Sequence, residues 1–177
     1  MLTNNAYTLM LALLNKADNI KLTNSKGEKE TYNISSSFFS NSSNYPALDS
    51  IMIGSNFISG TNTPNSYGLY LGTGDTVPSV ADYKLSGEPI KGVSSPDAKV
   101  AMNQNDNYLE FQATLSVKNN NSNSVTVKEI ALFGRLYTNG NIYAVMLDRI
   151  VLPTPITIAA GETKDITYNL RLPYSGT

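Results

Sequence analysis

The stretch Gly68-Leu-Tyr-Leu-Gly-Thr-Gly-Asp75 sets Gly72 and Gly74 after an apolar run, in the outline of a phosphate-binding loop. That chemistry needs glycines that open a helix, so that backbone N–H groups and the helix dipole face the anion. Here Thr76-Val-Pro-Ser79 follows, with a proline and β-branched residues, and no Gly-Lys-Ser/Thr. The glycine spacing is also not that of a dinucleotide fingerprint. The expected role is therefore geometric, bending the chain and not cradling an anion. Gly72 and Gly74 are expected to take backbone angles closed to other residues. Asp75, Thr76 and Ser79 are expected to hydrogen-bond back onto the turn, and Asp82 to cap a short helical turn carrying Tyr83 and Leu85 to the core. Asp75 and Asp82 lack the oxygen-rich repeat of a calcium loop, so no metal or cofactor is expected.

Acid–base chemistry has candidates but no pattern. Asp75, Asp82, Glu88, Glu110, Glu129 and Asp148 are available, yet none falls in a recognisable catalytic motif. A glycosidase would need two of them facing each other across a cleft, about 5–10 Å apart. Asp148 and Arg149 are strand neighbours, so their side chains should leave opposite faces and need not pair. A buried Arg149 would bond carboxylates or strand carbonyls, here expected from nearby subunits. The chain contains neither cysteine nor histidine, which removes disulfides, Cys/His zinc sites, thiol nucleophiles and the Ser-His-Asp triad. An enzyme is not expected.

The 177 residues carry a formal net charge of −1 with no basic run, so nucleic acid is not an expected partner. The apolar patch 9–14 is too short to cross a bilayer and lacks the basic start of a leader. Neither membrane association nor a small-molecule substrate is expected.

The elements follow from periodicity. Residues 3–17 read as a helix capped by Asn4 or Asn5, with Ala6, Leu9, Met10, Leu13, Leu14 and Ala17 on one stripe. That stripe packs either on the domain's own sheet or on a neighbouring subunit. Residues 1–19 are thus a helix and possible docking element, and 20–177 a single β domain. A hairpin is expected around Lys26-Gly27, followed by a long polar loop at 35–50 holding Phe38, Phe39 and Tyr45. Residues 108–117 alternate apolar and polar, as a strand with one buried face does. Residues 118–124 read as an exposed connection. Asn139-Gly140 should turn a hairpin between 125–137 and 142–152, and Pro153 and Pro155 mark an edge or bend. Residues 156–158 and 166–172 flank a further hairpin signal containing Gly161. The fold class expected is all-β: an antiparallel β-sandwich, jelly-roll-like, with a short N-terminal helix.

"GLYLGTGDTVPSVADYKL" resembles a motif of tailed-bacteriophage virion proteins: an apolar strand, Gly-Thr-Gly, a proline four residues on, then Asp-Tyr-x-Leu. The resemblance continues through Glu129-Ile-Ala-Leu-Phe133, Arg149 before Ile150-Val-Leu152, and Ala159-Ala-Gly-Glu-Thr163 leading into 166–172. It covers roughly residues 50–174. Where those proteins often carry Glu directly after the leucine, this chain has Ser86 and Gly87 before Glu88, and its N-terminal helix and Asn/Ser-rich loop lie outside the shared part.

The resemblance implies a non-enzymatic virion component, made in the bacterial cytoplasm and packed in many copies against itself and other virion proteins. Tail, fibre or connector positions are favoured, with head decoration as a further possibility. Leu9, Met10, Leu13, Phe38, Phe39 and Tyr45 are the candidate interface residues. Gly72, Gly74, Asp75, Asp82, Gly140 and Gly161 are the candidate turn residues. Removing 1–17 is expected to leave the β domain folded but unable to join particles. The alternative is a carbohydrate- or receptor-binding module, since eleven tyrosines and many asparagines suit sugar stacking and hydrogen bonding. Against it, the chain has no tryptophan.

Overall fold

A computed structural model describes residues 1–15, 20–32, 68–104, 108–138 and 141–173. Helix α1 (Asn4–Asn15) is followed by the strands β1 (Ile20–Thr23), β2 (Lys29–Tyr32), β3 (Gly68–Gly72), β4 (Val93–Gln104), β5 (Tyr108–Asn119), β6 (Val125–Thr138), β7 (Asn141–Ile158) and β8 (Thr163–Pro173). β1 and β2 form an antiparallel hairpin. The others make two antiparallel three-stranded sheets, ordered β3-β6-β7 and β4-β5-β8. This is an all-β sandwich with one short N-terminal helix.

Alternation builds the core. Phe111, Ala113, Leu115 and Val117 of β5 are buried, as are Ile166 and Tyr168 of β8, and they meet Leu69, Leu71, Ile130, Leu132, Val145 and Leu147 of the first sheet. β5 pairs with β8 from Tyr108↔Pro173 to Lys118↔Thr163, so the β6–β7 pair is a detour into the opposite sheet. The turn after β7 consequently crosses between sheets and does not close a hairpin, correcting the expectation for 159–165. Its Gly161 has φ +72°, the left-handed region that glycine occupies without steric cost.

Asn119, fully buried at the end of β5, holds that corner together. Its side-chain amide donates to the carbonyls of Asn123 (2.9 Å) and Ile158 (3.0 Å), and its Oδ1 accepts from the Asn121 N–H. One residue of the expected exposed connection is therefore a core bracket.

Two irregularities in the β6–β7 ladder matter for the site. Pairing steps from Leu132↔Asp148 to Phe133↔Met146, leaving Leu147 as an extra residue. A bulge of this kind re-aims side chains. Met146 and Arg149 consequently share the outer face, while Asp148 turns inward to accept a 2.6 Å hydrogen bond from the Tyr168 hydroxyl of the opposite sheet. The second irregularity sets Leu152 to Pro155 against Lys128 alone, so Pro153 and Pro155 sit in an unpaired bend of an edge strand.

α1 is built into the sandwich. Thr3 caps it, accepting from the Ala6 N–H and donating its hydroxyl to the Met146 carbonyl at 2.6 Å; the cap is Thr3, not Asn4 or Asn5. Asn5 instead clamps β1, donating to the Thr23 carbonyl (2.7 Å) and accepting its N–H (2.8 Å). Residues 1–3 run along the free edge of β7 through Thr3 N–H to Leu147 carbonyl and Arg149 N–H to Met1 carbonyl bonds, and the Ser25 N–H adds a bond to the Ala144 carbonyl. The edge is thereby covered from Ala144 to Arg149, which shortens the stretch open to pairing with another chain.

Candidate functional site

The outer face of the first sheet is closed by the segment between β3 and β4. Its neck is pinned where the Thr73 N–H meets the Glu88 carbonyl (3.1 Å) and the Ile90 N–H meets the Leu71 carbonyl (2.8 Å). Residues 73–88 therefore form a closed surface loop of the Ω type. Leu85 beneath it packs on Ala131, Phe133, Ala144 and Met146, with Tyr70 edge-on to Phe133 at 5.0 Å.

At the centre of the loop lies Glu129, fully buried. Its Oε1 accepts the N–H groups of Gly74 (2.9 Å) and Gly87 (2.8 Å). Its Oε2 accepts the Ser86 N–H (3.0 Å), the Ser86 hydroxyl (3.1 Å) and Nε of Arg149 (3.0 Å). Arg149, 1% exposed, spends its remaining donors on the Thr76 carbonyl (2.7 and 3.0 Å) and the Asp82 carboxylate (3.1 Å). Two buried charges thus compensate each other, and backbone dipoles satisfy the remaining lone pairs, as stable ion burial requires.

This arrangement corrects the reading of the glycines. The loop does hold an anion, but the anion is the chain's own Glu129 carboxylate. Gly72 and Gly74 are absent from the glycines with positive φ. Their constraint is close approach: a Cβ on Gly72 would stand 2.6 Å from Glu129 Oε1, and one on Gly74 would run into Ser86 Oγ and the Gly87 nitrogen. Gly74 and Gly87 press on each other in the same way. Gly87→Ala should therefore cost about 3 kcal/mol, the upper end of overpacking costs. Urea unfolding should show the loss as a lower midpoint at unchanged slope.

The other sequence-chosen residues fall as follows. Asp75 forms an exposed 3.0 Å ion pair with Lys128. Thr76 contributes its carbonyl. Ser79 and Asp82 close a tight turn, Ser79 Oγ accepting the Ala81 N–H and Asp82 accepting the Ser79 N–H, so Asp82 fastens the turn before it and caps no helical turn through Tyr83 and Leu85. Leu9 is buried in the domain's own core, which takes it out of the docking stripe, and Met10 is half-buried. Phe38, Phe39, Tyr45, Gly140 and the Leu13 side chain lie outside the described residues. Arg149 finds its partners within its own chain and not across a subunit boundary. Glu110, on β5, is held by Arg171 (2.6 Å).

The electrostatics agree with this geometry. Burial pushes the Glu129 carboxyl up, but the Gly87, Ser86 and Gly74 N–H groups and Arg149 more than offset it and hold it below the usual range. A depressed folded pKa stabilises above the unfolded value, about 4.3, and that stability is lost as pH falls through the folded value. Tyr168 shifts the opposite way: burial first, then the Asp148 charge, drive its hydroxyl well above the ordinary range. A raised folded pKa leaves stability intact below about pH 10 and erodes it above. Tyr168→Phe should therefore flatten the alkaline stability profile by about 1.4 kcal/mol per pH unit, measured by denaturant titration.

Among the described residues, no group of three or more acidic, His or Cys side chains is arranged to hold a metal ion, and no helix is long and apolar enough to cross a membrane. Glu129 and Arg149 are sealed under the loop and satisfied by each other, an arrangement that fastens layers together. The fold and cluster define an antiparallel β-sandwich whose covered outer face is braced by an internal ion pair. Comparison with protein-family models, with curated proteins and with solved structures finds no match to this chain.

Proposed function

We propose that this protein is a non-enzymatic structural component of a tailed-phage virion, packed in multiple copies. The observation that carries the reading is the meeting of three of the resemblance motifs at one place. Gly74 and Asp82 of the first stretch, Glu129 of Glu-Ile-x-Leu-Phe and Arg149 converge on one buried cluster. Residues scattered over 76 positions of sequence thus encode one mechanical unit, which supports reading them as a shared architecture. Two of the six acidic candidates for catalysis, Glu129 and Asp82, bind Arg149 in that unit, and Asp148 accepts from Tyr168 on the inner face. A rigid sandwich with a pinned loop holds its shape under load without covalent links, as a particle subunit must.

The test is an immunoblot against this chain on gradient-purified particles from a host carrying its gene. The protein should co-sediment with particles at many copies each. A chain abundant in the lysate but missing from particles would contradict the proposal.

A further inference from the structure

The outer face of the second sheet, on the far side of the sandwich from Glu129, carries polar side chains bonded straight across β5 and β8. Glu110 meets Arg171 (2.6 Å), Gln112 meets Asn169 (3.0 Å) and Thr114 meets Thr167 (3.2 Å), each pair in direct register. Gln112 and Thr114 are half-buried, while Arg171, Asn169 and Thr167 are exposed.

The first pair is built unlike an ordinary surface ion pair. Glu110 is only 6% exposed, Asn103 donates to its Oε1 (3.3 Å), and its Oε2 takes Nε of Arg171. The guanidinium also lies over the Tyr108 ring, 4.9 Å from its centre. An arginine whose side chain is 56% exposed is thus fixed at its Nε edge and on one face. Its Nη donors form the planar fork that holds a carboxylate by two parallel bonds, and little ordering is required when they do so. The next pair lies about 7 Å along the same face, two strand residues away. There Gln112 donates to Asn169, so Gln112 Oε1 keeps acceptor capacity and Asn169 Nδ2 keeps donor capacity for a ligand hydroxyl. On β4, Ala101 stands opposite Gln112, so the amide pair is flanked by a methyl group and not by a long side chain. Lys99, exposed and opposite Thr114, adds a cation one row further.

The geometry points to a binding site for a carboxylated saccharide, with Arg171 taking the carboxylate and Gln112 and Asn169 the ring hydroxyls. The side-chain chemistry selects this occupant. Beyond the fork, the face offers amides and hydroxyls in adjacent pairs, which match the closely spaced hydroxyls of a sugar; a peptide would call for an apolar pocket beside the carboxylate. A neutral sugar would leave the fork and Lys99 unused. Asp165, bonded to Ser116 (2.6 Å) in the row past Thr114, repels a carboxylate from that end and fixes the acidic group at the Arg171 end. Fold and virion reading stand without this site.

Calorimetric titration of the full chain tests it, with trigalacturonate and sialyllactose as probes. Galactotriose and lactose serve as their uncharged counterparts, and triglutamate as a carboxylate without a sugar. At least one acidic saccharide should bind saturably, and its uncharged counterpart and triglutamate about tenfold more weakly or less, as loss of a charged hydrogen-bonded pair implies. In ¹H–¹⁵N spectra the shifts should centre on Gln112, Asn169 and Arg171. Arg171→Lys keeps a cation for Glu110 but loses the fork, and Asn169→Ala alters an exposed residue, so both should retain the wild-type melting temperature. Each should weaken the acidic saccharide about tenfold. No saturable binding by either acidic probe, equal binding of triglutamate or of the uncharged sugars, or indifference to both substitutions overturns the assignment.

Discussion

Glu129→Gln should destabilise the domain by about 3–5 kcal/mol, because it leaves buried Arg149 only the part-exposed Asp82 carboxylate as counter-ion, and Arg149→Met by a similar amount, because it leaves Glu129 buried with no cation. The carboxylate also serves three loop N–H groups, so its loss reaches beyond the ion pair. Gln retains one carbonyl acceptor but turns an amide toward donors. Arg149→Met leaves Glu129 its backbone partners and releases the Thr76 carbonyl and Asp82. The double variant should cost less than the sum of the singles by about 0.5–3 kcal/mol, as contacting residues in one network do. Urea titrations of all four proteins check this. Strict additivity would mean that the two side chains do not act as a pair.

Removing residues 1–15 should cost more than about 5 kcal/mol, a large share of the stability of a typical domain. This reverses the expectation that the β domain survives without its helix. Ala6 and Leu9 belong to the same buried cluster as Leu22, Leu69 and Leu147, and Thr3 and Asn5 bond strand carbonyls that would otherwise lie unpaired. The truncation would also bare the edge of β7 along Leu147 to Arg149. The expected product is insoluble or unfolded by circular dichroism. A soluble, cooperatively melting 16–177 protein would show that the helix is an appendage.

Strands were legible in the sequence where one face is buried. Residues 108–117 alternate because one face of β5 enters the core through Phe111, Ala113, Leu115 and Val117 while the other stays half-exposed. The turn at Lys26-Gly27 was legible because its glycine needs positive φ, here +87°. Two features were hidden because they depend on partners far away in sequence. Gly72 and Gly74 look like turn glycines, yet their constraint is a carboxylate 55 positions beyond Gly74. Asn119 reads as one more polar loop residue, and only the meeting of two corners makes it a buried bracket. The inter-sheet turn at Gly161 has local chemistry indistinguishable from that of a hairpin. The bulge at Leu147 has no local signature at all, although it decides that Arg149 faces Glu129 and Asp148 faces Tyr168.

The central claim is that the glycine loop is an anion cradle filled from within, and Glu129→Ala tests it most directly. That substitution deletes the four heavy atoms of an acetate ion while leaving the N–H groups and Arg149 in place. Added acetate should then raise the melting temperature of the variant over a sodium chloride control of equal ionic strength. At about ten times the dissociation constant the gain would be about 1.4 kcal/mol, or roughly 3–6 °C. Wild type, with its cradle occupied, should not respond. Equal responses of variant and wild type to acetate would contradict the account.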